Sequence, residues 1–197
     1  MPVRVVIAED EAIIRLDLKE ILEEEGYEVV GECGRGDEAV ELVRTKSPDL
    51  AILDIKMPGL DGLAAAREIT GERRAAVLIL TAFSQRDLID QARDAGALAY
   101  LIKPFQKSDL LPAIEIALGR FAEMRALEQE VKTLEEQLET RRLVERGKGI
   151  LMDELGWKEN DAFSWIQRTA MRERVPMKQI ALRIINDGLR PQESEKP

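Results

Sequence analysis

Histidine is absent from all 197 residues. Its absence removes Ser-His triads, imidazole general bases and histidine metal sites, and the chain cannot form a phosphohistidine of its own. Cysteine occurs once, at Cys33. A single thiol supports neither an internal disulfide framework nor a cysteine zinc cluster, and its ordinary place is a small buried position. No run of about 18 apolar residues exists, so no membrane helix is expected. The start, MPVRVVIAEDE, enters a strand-like run and meets acid at once, unlike a signal peptide. A cytoplasmic chain is the expectation. At 45% hydrophobic residues there is material for a real core, in one large domain or one ordinary domain plus a small one.

Charge divides the chain. Residues 1–140 carry 17 basic and 29 acidic side chains, whereas residues 141–190 carry 11 and 7. An acidic front and a basic back suggest two units with different partners.

The front half alternates short apolar runs with helix patterns. VRVVIA (3–8), YEVVGEC (27–33), LAIL (50–53), AVLIL (76–80) and ALAYLI (97–102) read as strands. Between them, Ile14, Leu18, Ile21 and Leu22 mark one helix face; Ala39 and Val43 mark another; Leu63, Ala66 and Ile69 a third; and Leu88, Ala92 and Ala95 a fourth, with Gly96 as its stop. This alternation predicts a five-stranded parallel, doubly wound α/β sheet with helices on both faces. In that architecture ligands bind at the carboxyl ends of the strands.

The residues expected at those ends are polar. Glu9 and Asp10 follow the first run, Asp54 the third, Thr81 the fourth, and Lys103 with Pro104 the fifth. A carboxylate closing a buried strand, as Asp54 closes LAIL, is most simply a turn former. As a set on successive strand ends, these residues point to one site. Carboxylates in one crevice repel unless a cation lies between them, and hard oxygen ligands favour Mg²⁺. Asp10, Asp54 and the backbone carbonyl of Lys56 are candidate ligands, with Glu9 holding a metal-bound water. A carboxylate so placed can act as nucleophile toward a phosphoryl group. Lys103 would then pair with the phosphoryl oxygens, and Thr81 would hydrogen-bond one of them.

AEDE after the first strand, LDIKMPGLDG around Asp54, TAF at 81–83 and AYLIKPF at 99–105 together resemble the receiver domain of two-component response regulators. The resemblance covers residues 1 to about 120. It implies a flavodoxin-like receiver that accepts a phosphoryl group on Asp54 from the phosphohistidine of a sensor histidine kinase, with Mg²⁺. Such a domain is a phosphoacceptor regulator; its own chemistry is limited to gaining and losing phosphate at Asp54. The resemblance also implies a switch carried by Thr81 and Tyr100, and a cis peptide before Pro104. Glu9 stands where many relatives have Asp. The lack of histidine suits a receiver that needs an external donor.

Past the receiver, the helical pattern continues through residues 121–140. Met124, Leu127, Val131, Leu134 and Leu138 step by three and four, an a/d seam of about two heptads. One reading is a parallel coiled coil that makes a homodimer. The other is a single amphipathic helix lying on its own domain.

Residues 141–190 read as a small all-α unit of three helices. The first ends at Gly156, the second is capped by Asn160 or Asp161, and the third follows Pro176 and stops at Gly188. The tail, 191–197, reads as disordered. RGKGILM (146–152), Gly156, DAF (161–163) with Ile166 and Ala170, and QIALRII (179–185) resemble the ANTAR domain. That resemblance implies binding of stem-loops in nascent RNA, usually by a dimer, to prevent transcription termination. Arg142, Arg146, Lys148, Arg168, Arg172 and Lys178 are candidate phosphate contacts, joined by Arg174 and Arg183. Trp157 and Trp165 are candidate stacking platforms, with burial in the core as the alternative for each. A DNA-binding transcription factor and a phosphorylation-dependent protein-binding adaptor remain as alternative outputs.

Overall fold

The computed structural model describes residues 2–82 and 86–192. Phe83, in the TAF motif, and residues 193–197 of the tail lie outside the described residues. The chain divides into two compact units, Met1–Arg125 and Ala126–Pro197.

In the first unit, strands β1 (Arg4–Ala8), β2 (Glu28–Cys33), β3 (Leu50–Asp54), β4 (Ala76–Thr81) and β5 (Ala99–Ile102) form one parallel sheet in the order β2-β1-β3-β4-β5. They alternate with helices α1 (Ala12–Glu24), α2 (Gly36–Lys46), α3 (Gly62–Gly71) and α4 (Arg86–Asp94), and β5 leads into α5 (Lys107–Leu155). The doubly wound sheet anticipated from the alternation of the sequence is therefore present.

The period of two along each central strand sorts the core. Val5, Ile7, Leu50, Ile52, Ala76, Leu78 and Leu80 pack against α1 and α5 through Leu18, Leu22, Leu110, Ile114 and Ala117. Their neighbours Val6, Ala8, Ala51, Leu53, Val77 and Ile79 face the other way, against α2, α3 and α4. Because both faces are covered, these strands read as continuous apolar runs. Apart from Arg4 at the amino end of β1, their polar residues lie at the carboxyl ends.

Helix α5 begins five residues before Pro112, a residue better suited to a first helical position. The start is set by Asp109, whose Oδ2 accepts from Gln106 N at 3.0 Å. From there α5 runs without a break to Leu155. Gly156, at φ 68°, follows it in the left-handed conformation that glycine adopts without a Cβ clash.

In the second unit, the end of α5 packs with α6 (Glu159–Glu173) and α7 (Met177–Asn186). Val144, Leu151, Trp157, Ala162, Trp165, Ile166, Ile180, Ala181 and Ile184 form its core. The expected cap at Asn160 or Asp161 is replaced by Lys158. The N–H groups of Asp161 and Ala162 both reach Lys158 O at 3.1 Å, so the first turn closes earlier. Glu159 and Asp161 then fall in that turn, where the helix dipole favours acid.

Thr169 is 1% exposed, and its hydroxyl has no hydrogen-bond partner. A buried unsatisfied hydroxyl costs about 1 kcal/mol or more. Thr169→Val should therefore raise the melting temperature of the second unit's transition, measured by circular dichroism. A decrease would mean that the hydroxyl is bonded in solution.

Candidate functional site

Each site residue of the first unit is delivered by a strand end. Glu9, just after β1, is fully buried, and its N–H donates to Cys33 O at 3.0 Å. Asp54 is the last residue of β3 and is 6% exposed. Thr81 is the last of β4 and buried. Lys103 follows β5; its N–H donates to Thr81 O at 2.7 Å, and its peptide to Pro104 is cis. Asp10 is exposed beside Glu9.

The side chains converge. Lys103 Nζ lies 2.6 Å from Glu9 Oε2 and 3.0 Å from Asp54 Oδ1. Carboxylate oxygens of Glu9, Asp10 and Asp54 all lie within 4.8 Å of one another. Three carboxylates thus share a crevice with one ammonium. Burial pushes the carboxyls of Glu9 and Asp54 above their ordinary range, against the pull of Lys103. Burial alone would lower Lys103, but hydrogen bonds to Glu9 and Asp54 override it and hold the ammonium above the usual lysine value. Glu9 Oε2 is buried, and the Lys103 ammonium, 2.6 Å away and shared with Asp54, is its cationic partner among the described residues. Under-compensated negative charge on hard oxygens fits a small divalent cation.

Sequence reasoning missed the part played by Gly62. Its N–H donates to Ile55 O at 2.9 Å, and a Cβ there would sit 1.8 Å from Asp54 O. Gly36, at the start of α2, is similarly pressed against Leu60 O, 2.1 Å from where its Cβ would lie. The loop after Asp54, which carries the exposed Lys56, is held between these two close approaches. In the sequence, Asp61-Gly62 shows only as the end of the LDIKMPGLDG stretch, just before the helix face that starts at Leu63.

Tyr100 lies on edge strand β5 beside β4. The strand alternates, with Ala99 and Leu101 packed inward and Tyr100 and Ile102 outward, and the Tyr100 ring is 45% exposed. Tyr100 pairs with Ile79 and Ile102 with Thr81.

In the second unit, the candidate nucleic-acid contacts do not form one class. Arg142 and Arg146 are exposed on α5, and Arg168 and Arg172 are exposed one turn apart on α6. Lys178 pairs with Glu139. Two expectations need correction. Lys148 is not an open phosphate contact: it is 5% exposed, with its ammonium 2.9 Å from Glu145 and 2.7 Å from Glu159. Trp157 is not an open platform: it is 8% exposed and meets Trp165 edge-on at 6.4 Å. A three-helix unit has few large side chains, and both indoles are used to fill it. The aromatic ring left open is Phe163, 37% exposed, with Lys148 Nζ 6.0 Å from its centroid.

Comparison with known proteins agrees with both halves. Residues 5–115 match the response regulator receiver domain, and residues 132–185 match the ANTAR domain. The chain is 62% identical over 181 residues to PdtaR, a transcriptional regulatory protein of Mycobacterium tuberculosis, covering 92% of this chain and 88% of that protein. It is 39% identical over 117 residues to the chemotaxis protein CheY of Bacillus subtilis, covering 59% of this chain and 98% of CheY. Among solved structures, the signal receiver domain of NarL from Mycobacterium tuberculosis superposes with a TM-score of 0.58 at 30% identity, over 60% of this chain and 97% of that one. No helix among the described residues is long and apolar enough to cross a membrane. The chain belongs to the response regulators that join an N-terminal receiver domain to a C-terminal ANTAR domain.

Proposed function

We propose that Asp54 accepts a phosphoryl group from the phosphohistidine of a sensor histidine kinase, and that the phosphorylated protein binds hairpins in nascent RNA to prevent transcription termination. The observation that carries the first step is the buried Asp54 carboxylate 3.0 Å from Lys103, with Glu9 and Asp10 beside it. An Asp54 oxygen attacks phosphorus, the bond to the donor imidazole nitrogen breaks, and its electron pair leaves with the nitrogen. The product is an acyl phosphate. Asp10, Asp54 and the Lys56 carbonyl would hold Mg²⁺, with Glu9 binding through a water. When bound, the ion neutralises charge on the transferring oxygens. Lys103 turns from Asp54 to the phosphoryl oxygens, and the Thr81 hydroxyl donates to one of them. Tyr100 follows Thr81 inward and changes the outward face of β5. A ligand shifts such an equilibrium only by its differential affinity for the two states, typically by about 1–3 kcal/mol.

The RNA step draws on the ANTAR match and on the exposed arginines of α5 and α6. Phe163 takes the stacking role that burial denies to Trp157. Met124, Leu127, Val131, Leu134 and Leu138 pair two copies, bringing two basic patches onto one RNA.

Filter binding with RNA hairpins and duplex DNA across a salt series tests this reading. Arg146→Ala should weaken binding to all hairpins alike and reduce the salt slope by roughly 0.7–0.9. Lys148→Ala should leave the slope unchanged and instead destabilise the second unit by about 1 kcal/mol, because its buried stem and two ion pairs are lost. Preference for duplex DNA would favour a DNA-binding factor. Binding to neither nucleic acid would favour the protein-binding adaptor.

A further inference from the structure

Arg15 is half-buried at the end of the first turn of α1. That turn holds no acid, and Glu11 makes no side-chain cap. A cation so near a helix N-terminus stands against the helix dipole. Side chains of a helix lean toward its N-terminus, so this one can reach back to the residues before α1. Its Nη1 donates to the backbone carbonyl of Glu9.

That carbonyl belongs to the peptide that links Glu9 to Asp10. Strand β1 ends at Ala8, so this peptide lies just past the sheet. Glu9 is held on its other side as well. Its N–H donates to Cys33 O at 3.0 Å, and its Oε1 accepts from Glu11 N at 3.3 Å. The guanidinium also faces the loop after β2. A Cβ at Gly34 would lie 3.5 Å from Arg15 Nη1, 3.5 Å from Asp10 Cα and 3.7 Å from Glu9 O. Three segments thus meet at the peptide between the two acids. Burial and Lys103 fix the Glu9 carboxylate. The Asp10 side chain is exposed, so its backbone decides where it stands.

We propose that Arg15 is a positioning residue for the divalent cation: by holding the Glu9 carbonyl, it keeps the Asp10 carboxylate beside Asp54, where the two share the ion. It acts through the backbone of Glu9 and Asp10. This rests on reading the crevice as the Mg²⁺ and phosphoryl site. The sign of the effect separates positioning from charge. A guanidinium near the crevice repels an arriving cation, so loss of charge alone would tighten Mg²⁺ binding. Loss of an anchor loosens it, and groups that orient metal ligands are typically worth roughly 10–100-fold in affinity.

Two measurements on the full chain test this. Mg²⁺ is titrated into the unphosphorylated protein and followed through the backbone amide NMR shifts of residues 9–11. Labelling by acetyl phosphate is then timed across the same Mg²⁺ range. Arg15→Met keeps an apolar stem and loses the donor. It should raise the Mg²⁺ dissociation constant, and the Mg²⁺ concentration for half-maximal labelling, roughly tenfold. The labelling rate at saturating Mg²⁺ should stay close to wild type, because the reacting groups are untouched once the ion is held. Arg15→Gln, polar and shorter, should behave alike and serves in its place if Arg15→Met does not fold. Lys19→Met is the control. It removes a like charge one turn further along α1, where Lys19 lies 3.3 Å from Glu32, and it should change neither value. Unchanged or tighter Mg²⁺ binding in the folded Arg15 variants overturns the inference. So does a slower labelling rate that saturating Mg²⁺ does not restore. In both cases a wild type that still binds Mg²⁺ and labels at Asp54 leaves the reading of the site standing. A wild type that binds no Mg²⁺ here, or takes no phosphate at Asp54, overturns that reading and the inference with it.

Discussion

Incubated with Mg²⁺ and acetyl phosphate, the wild-type chain should take up one phosphoryl group labile to hydroxylamine and alkali, as an acyl phosphate is, and Asp54→Asn should take up none. Three carboxylates share the crevice, and their surroundings separate them. Glu9 is fully buried and closed off by Lys103 at 2.6 Å. Asp10 is exposed and belongs to the loop after β1. Asp54 combines burial, a place at the end of a central strand and an ammonium 3.0 Å away that can accompany the incoming oxygens. Asparagine keeps the shape and the acceptor for Lys103 but is no nucleophile. It also removes a charge whose burial is unfavourable in the apo protein, as the raised Asp54 carboxyl indicates. Asp54→Asn should therefore melt no lower than wild type, which separates lost chemistry from lost fold. Labelling of the variant at the wild-type level, followed by mass spectrometry placing phosphate elsewhere, would remove Asp54 from the mechanism.

Gly62→Ala should cripple phosphorylation without touching a catalytic group. The added Cβ would sit 1.8 Å from Asp54 O and 2.8 Å from its carbonyl carbon. Both are backbone atoms, so no side-chain rotation relieves the clash. Either α3 moves away from β3, or the end of β3 shifts with its carboxylate. Overpacking of this kind costs about 1–3 kcal/mol, occasionally more. Chemical denaturation should show a loss of about 3 kcal/mol. Among the molecules still folded, the rate of labelling by acetyl phosphate should also fall. Gly71→Ala is the control: its Cβ meets nothing within 4 Å, and it lies at the far end of the same helix. Wild-type stability and labelling in Gly62→Ala would show that the close approach is absent in solution.

Much of this molecule is legible in one dimension because its chemistry follows its periodicities. A strand buried on both faces must be apolar along its length, so a polar residue is noticed where the strand stops. Glu9, Asp54, Thr81 and Lys103 stand out for that reason. A parallel sheet brings successive carboxyl ends to one edge, so their convergence follows from the alternation of strand and helix. The exposed seam on α5 is visible in the same way, as a repeat of threes and fours.

What the sequence could not determine depends on which neighbours share a volume. Lys148 and Arg146 look alike as basic residues on one helix. Only the packing of α6 against α5 places Glu159 over Lys148 and leaves Arg146 in solvent. Trp157 and Phe163 are both aromatics beside polar residues, and the choice of the indole for the core is a matter of volume in a three-helix unit. Gly62 reads as a helix start until β3 is laid against it. The sequence by itself determined the sheet, the polar carboxyl edge and the two-part organisation, because these follow from hydrophobic period and residue type. The tertiary structure alone decided which cations are already paired, which ring is open and which glycine holds Asp54 in place. Those depend on distances between segments that no local pattern encodes.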